Sequence, residues 1–384
     1  LRSENGNEDL LSVSQYTGVT KKADKVGEGE NLSNAKTLEG YKVVKKSDLV
    51  INIMLAWNGS LGISDYDGIV SPAYCVYRSL IDGEKYFGYL FKTKNAQQEF
   101  KKQSTGIIDS RLRMYTDSFF DIKTVIPTKP EQTAIANFLD YKLEKIERFI
   151  TKKKQLIKLL NEQKAAIINH AVTKGLNPNA KLKPSGIEWL GNIPDSWEIR
   201  KLKYSVRLNK HTSFDNDENS KNKIALENIE GKTGRILELN ENPFEGDGTI
   251  FKKGDILFGK LRPYLAKVVT PNFEGSCVNE LLVLSPNKKD WLSEFLKYRM
   301  LAGDFIGIVD NSTYGAKMPR ASWSFIGSLK ISKPLKVEQQ EIVNYIKTQT
   351  AKTEKTITTI EKEISLVEEY KNTLIAEAVT GKID

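Results

Sequence analysis

Few residues of this 384-residue chain stand at spacings that support catalysis. His170 and His211 are the only histidines, so a His-rich metal site or a Ser-His-Asp triad has little to build on. Gly231-Lys232-Thr233 resembles the end of a phosphate-binding loop, but Leu226 stands where the motif needs its earlier glycine. Asn242-Pro243-Phe244 lacks the second proline of the short motif that holds a flipped base in amino-methyltransferases. Pro194-Asp195 with Glu198 and Lys201 is too compact to span the separate strands of a nuclease metal site. Cys75 and Cys277 lie far apart in apolar runs, which reads as two buried thiols rather than a disulfide framework. The chain itself is therefore expected to be non-catalytic and to bind no metal.

The elements explain what the chain is built to do instead, because most of it occurs twice. Pro130-Glu131-Gln132 through Leu139 matches Val337-Glu338-Gln339 through Ile346, an offset of 207 (338 less 131). The same offset pairs Lys164 with Lys371, Ala171-Val172-Thr173 with Ala378-Val379-Thr380, and Lys45-Lys46-Ser47-Asp48 with Lys252-Lys253-Gly254-Asp255. A period this long is a duplicated domain and not a solenoid. The long segments match residue for residue, whereas the globular parts keep glycines and apolar positions but differ in their polar residues. One scaffold carrying two specificities is the expectation.

Within each copy, short β-branched and aromatic runs bounded by turn residues predict strands, as at Tyr41–Val44, Leu49–Met54, Gly68–Val70 and Cys75–Tyr77. Helices are predicted at Ala96–Lys102 and Trp291–Ala302. From Glu131, the apolar residues Leu139, Leu143, Ile146, Ile150, Ile157, Leu160 and Ile167 recur in alternating steps of four and three, with Lys153 and Lys164 as polar intrusions. The second copy repeats the series with Ile346, Ile357, Ile360, Ile364, Val367 and Leu374. This is a heptad seam. A helix from Glu131 to Thr173 would reach about 65 Å, and its economical partner is the other helix. The fold class is thus α+β, with each domain followed by a long helix and the two helices pairing as an antiparallel coiled coil with pseudo-two-fold symmetry. The expected boundaries are 1–128 (first domain), 129–174 (helix), 175–185 (linker), 186–334 (second domain) and 335–384 (helix).

The net charge is +9, from 58 Lys and Arg against 49 Asp and Glu. That excess favours a nucleic-acid partner without requiring one. No apolar stretch approaches a membrane span, and Leu1 opens a charged, Asn-rich region unlike a signal peptide, so a cytoplasmic protein without membrane partners is expected.

Three motifs in order carry a family resemblance: Gly186-Ile187-Glu188-Trp189-Leu190-Gly191-Asn192-Ile193-Pro194-Asp195-Ser196-Trp197, then Gly254–Leu265, then Glu338-Gln339-Gln340-Glu341-Ile342 opening a long helix. Together they resemble specificity subunits of type I restriction-modification systems, and the order of domain and helix matches over essentially the whole chain. The resemblance implies two target recognition domains, each reading half of a split sequence in double-stranded DNA. It also implies two modification subunits docked on the scaffold and restriction subunits joining them. S-adenosylmethionine, ATP and Mg would belong to those partners, with no cofactor bound by this chain. The first copy departs from the pattern: position 1 aligns near Leu208, so its Trp-Leu-Gly and Ile-Pro-x-x-Trp segment is expected to be missing from the first copy.

Base edges are read by patterned donors and acceptors, while other basic groups grip phosphate. In the second domain the candidates are Lys260, Arg262, Tyr264 and Lys267 on one loop, and Thr313, Tyr314, Lys317 and Arg320 on another. The matching regions of the first supply Trp57, Asn58 and Ser60, and Ser110, Arg111 and Arg113. The alternative for Lys260 and Arg262 is a solvated loop with surface ion pairs; for Tyr264 and Trp57 it is packing beneath that loop. A coiled-coil protein scaffold without sequence-selective DNA binding is the competing function, and a catalytic nuclease or methyltransferase lacks its motifs.

Overall fold

Strand register shows the duplication more sharply than sequence does. In the computed structural model, which describes all residues except 16, 26–32, 34, 36, 81–82, 109–110, 214–221, 238, 240–243, 245 and 384, the chain forms two compact units. One comprises Leu1–Lys153 with Glu361–Asp384; the other is Lys154–Ile360. In the first, strand Leu49–Asn52 lies between Leu61–Ile63 and Tyr74–Tyr77, pairing Val50 with Gly62 and Leu49 with Tyr77. In the second, Ile256–Gly259 lies between Val268–Val269 and Leu281–Pro286, pairing Leu257 with Val269 and Ile256 with Leu284. The antiparallel pair Lys42 with Val70 likewise returns as Thr249 with Cys277. A one-residue slip would turn each apolar face outward, so buried faces hold both copies to one register.

The Lys-Lys-x-Asp turn recurs at atomic detail. Lys45 N donates to Asp48 Oδ2 at 2.8 Å, and Lys252 N to Asp255 Oδ2 at 2.9 Å. Each turn needs a left-handed residue, filled by Ser47 (φ 72°) in one unit and Gly254 (φ 89°) in the other. A side chain is disfavoured there by about 1 kcal/mol. Gly254→Ala should therefore destabilise the second unit by about that amount, and Ser47→Gly should leave the first unit unchanged or modestly stabilised; thermal melts check both.

The long helices run Lys129–Lys174 and Lys336–Val379. Gln132 and Gln339 open them as buried hooks, donating to Pro127 O at 2.8 Å and Pro334 O at 3.0 Å. In the first unit the start of one helix lies beside the end of the other: Leu139 clusters with Leu374 and Ile375, and Glu147 pairs with Lys371 and Lys153 with Glu363. In the second, Lys164 pairs with Glu354 at 2.6 Å, and Gly175 lies beside Glu338. As numbers rise on one helix they fall on the other, which is antiparallel packing in each unit. The seam residues Leu139, Ile150, Ile346, Ile360, Ile364 and Leu374 are buried, and Leu143, Ile146, Ile157, Leu160, Ile167, Ile357 and Val367 half-buried. Beside the seam, Ile168, Val172, Ile342 and Val343 form a second apolar line that packs into the second globular core.

The units differ at one sheet edge. Strand Lys330–Lys333 is covered by Glu198–Lys201, which buries Ile331, and Trp197 Nε1 donates to Glu338 at 2.9 Å. The matching residues 123–126 form no strand, and Val125 is 88% exposed. No covering strand for them occurs among the described residues of that unit.

Candidate nucleic-acid interface

Strand Ile256–Gly259 ends by delivering Lys260 to a loop that the chain forces into an unusual shape. Arg262 and Ala266, both non-glycine at φ 48°, bracket a short turn, Pro263–Leu265. The segment 313–320 folds onto this loop: Arg262 N donates to Pro319 O at 2.8 Å, Ala321 N to Lys260 O at 2.9 Å, and Arg320 exchanges backbone hydrogen bonds with Tyr314. The two stretches expected to share a surface in the second domain are thus one structure.

Their side chains divide into anchors and free groups. Arg320 directs two guanidinium nitrogens at Glu280, the closest contact 2.9 Å, so it braces the loop where a DNA contact was expected. Lys267 Nζ turns inward to donate to Leu226 O at 2.6 Å, and burial lowers its pKa. Thr313 Oγ1 donates to Asp310 O at 2.8 Å. Arg262, Tyr264, Tyr314 and Lys317 are exposed and Lys260 half-buried, and none of their cations has an ion-pair partner among the described residues.

The first unit builds the same frame with different side chains. Met114 N donates to Ile53 O at 2.9 Å, the counterpart of the Ala321–Lys260 bond, and Thr105 and Arg113 exchange backbone bonds of 3.0 and 2.9 Å. Trp57 is half-buried, donates to Met54 O at 3.2 Å and lies under the Lys101 ammonium, 5.3 Å from the ring centroid. Asn58 Oδ1 accepts from both Ser60 N and Ser60 Oγ. Ser60 is 3% exposed, so this serine shapes the turn and offers no surface to a ligand. Arg111 is exposed and Arg113 half-buried, while Ser110 lies outside the described residues. Glu280 and Lys101 escaped the sequence reading because each joins its partner through folding, from about 40 residues away in both cases.

No group of three or more His, Cys, Asp or Glu that could hold a metal occurs among the described residues. Burial pushes the Cys277 thiol up to about 12, which leaves it a poor nucleophile at neutral pH. No helix among the described residues is long and apolar enough to cross a membrane.

Comparison with known proteins adds four findings. Residues 194–366 match the family described as type I restriction modification DNA specificity domain. The chain is 24% identical over 359 residues to the type I restriction enzyme EcoDI specificity subunit of Escherichia coli, covering 86% of this chain and 78% of that subunit. It is 23% identical over 368 residues to the MjaVIII specificity subunit of Methanocaldococcus jannaschii, covering 88% and 81%. In fold it is similar to a chain of a solved structure on complex assembly and conformational transition of the type I R-M system. There the TM-score is 0.68 at 12% identity, with 98% of this chain and 94% of that one covered. These findings bear out the family resemblance read from the three motifs, and the fold likeness bears out the α+β class with two globular parts and long helices.

Proposed function

We propose, on the premise that this chain is a relative of type I restriction-modification specificity subunits, that it is the DNA sequence-recognition subunit of such an enzyme. Each globular domain reads one half of a split target. The chain performs no chemistry; two modification subunits that bind S-adenosylmethionine dock on it, and restriction subunits that use ATP and Mg join the assembly. The observation that carries the reading is the recurrence, in both units, of two interlocked loops, with Arg262 and Lys317 exposed on one pair and Arg111 on the other, within a chain whose second half matches the DNA specificity domain. Exposed Tyr141, Phe149, Leu156 and Leu159 along the first long helix offer apolar area for docked subunits.

Methylation-site sequencing of genomic DNA from cells with the modification subunits, with and without this chain, tests the reading. A split adenine-methylated motif that depends on the chain is expected; no dependent motif would favour the pure scaffold. On purified complex, Lys317→Ala should weaken binding to all sequences alike and lower the salt slope by about one. An unchanged slope would remove Lys317 from the phosphate contacts.

A further inference from the structure

Each pair of interlocked loops also exposes large apolar side chains. In the first unit Ile107 is 100% exposed and Ile108 and Leu55 substantially so. In the second, Tyr264, Leu265 and Tyr314 are exposed. The loops occupy matching places in the two copies, tied down by equivalent backbone hydrogen bonds, Met114 to Ile53 and Ala321 to Lys260. Apolar groups in these positions add nothing to a core, and clustered ones mark an interaction surface.

Two further features identify the partner. The first is rigidity: Leu265 N donates to Arg262 O at 3.0 Å and Ala266 N to Pro263 O at 2.8 Å, between two non-glycine residues held at φ 48°. Backbone of this kind persists only where its surroundings fix it. The second is charge: the apolar tips share their loops with exposed Arg262 and Lys317 in one unit and exposed Arg111 in the other. A stiff apolar tip beside cations suits a duplex, because the cations hold phosphates while the tip enters the base stack.

We propose that Tyr264 with Leu265, and Leu55 with Ile107, are wedges that unstack a single base step in each half-site, so that the chain selects DNA by its deformability as well as by contact. The inference rests on the DNA-recognition reading and deepens it.

The test uses the chain assembled with its modification subunits and duplexes carrying 2-aminopurine at each half-site position in turn, excluding the methylated adenine. Binding should raise fluorescence several-fold at one step per half-site. In Tyr264→Ser/Leu265→Ser the rise in one half-site should vanish while the other persists, with binding weakened about tenfold; Tyr264→Phe should retain the rise. Selective binding with no rise at any step, or a rise unaltered in the double variant, overturns the wedge and leaves the recognition reading intact. Loss of modification subunits from the double variant would instead show the tips to be a protein contact and overturn it too. Absence of selective binding would overturn the recognition reading and the wedge with it.

Discussion

Glu354→Ala should destabilise the chain by about 3 kcal/mol, measured as a shift in the urea midpoint, because it strands a buried ammonium. Lys164 keeps 6% of its side chain exposed and its nearest carboxylate is Glu354 at 2.6 Å. Lys164→Met should cost less, since it removes the buried charge, keeps the volume and leaves the carboxylate of Glu354, 33% exposed, to water. The matching pair gives the control. Glu147 and Lys371 occupy the same places in the repeat, but their side chains are 56% and 31% exposed. Glu147→Ala should cost about 1 kcal/mol or less, as an exposed pair does. Equal effects at the two sites would refute the argument that burial sets the difference.

Lengthening both helices should change the target without changing the half-sites. One heptad inserted after Lys153 and another after Ile360, equivalent points of the repeat, keeps each seam nearly in phase. Seven residues add about 10 Å of helix, which corresponds to about three base pairs of spacer at roughly 3.4 Å each. Methylation at the original spacing should fall to background and reappear at the longer one, because recognition elements on one duplex tolerate little error in separation. An unchanged spacer would refute the idea that the helices act as a ruler. A heptad in only one helix should disrupt pairing and lower stability instead.

Both predictions depend on how much of the molecule is written locally. The heptad series from Leu139 and from Ile346 was legible because helix period is a short-range property of sequence. The strands at 42–44, 49–52, 68–70 and 74–77 were legible for the same reason, as β-branched runs between turn residues. The candidate surface was legible only in outline. Loops 260–267 and 313–320 were matched to a common face, yet nothing in their composition says that Arg320 is engaged by Glu280 or that Ser60 is buried. Those outcomes depend on residues brought together by long-range packing.

By itself, then, the sequence determined the duplication, the long helices with their apolar seams, and the family to which the motifs point, because repeats, periodicity and short motifs survive in one dimension. Only the tertiary structure decided which of two matched lysines is buried, which cations are anchored and which remain free, and where apolar tips stand exposed. The physical reason is that burial and pairing belong to neighbours in space. Lys164 and Lys371 match in the repeat, and only what folds against each makes one ammonium a buried charge and leaves the other partly exposed.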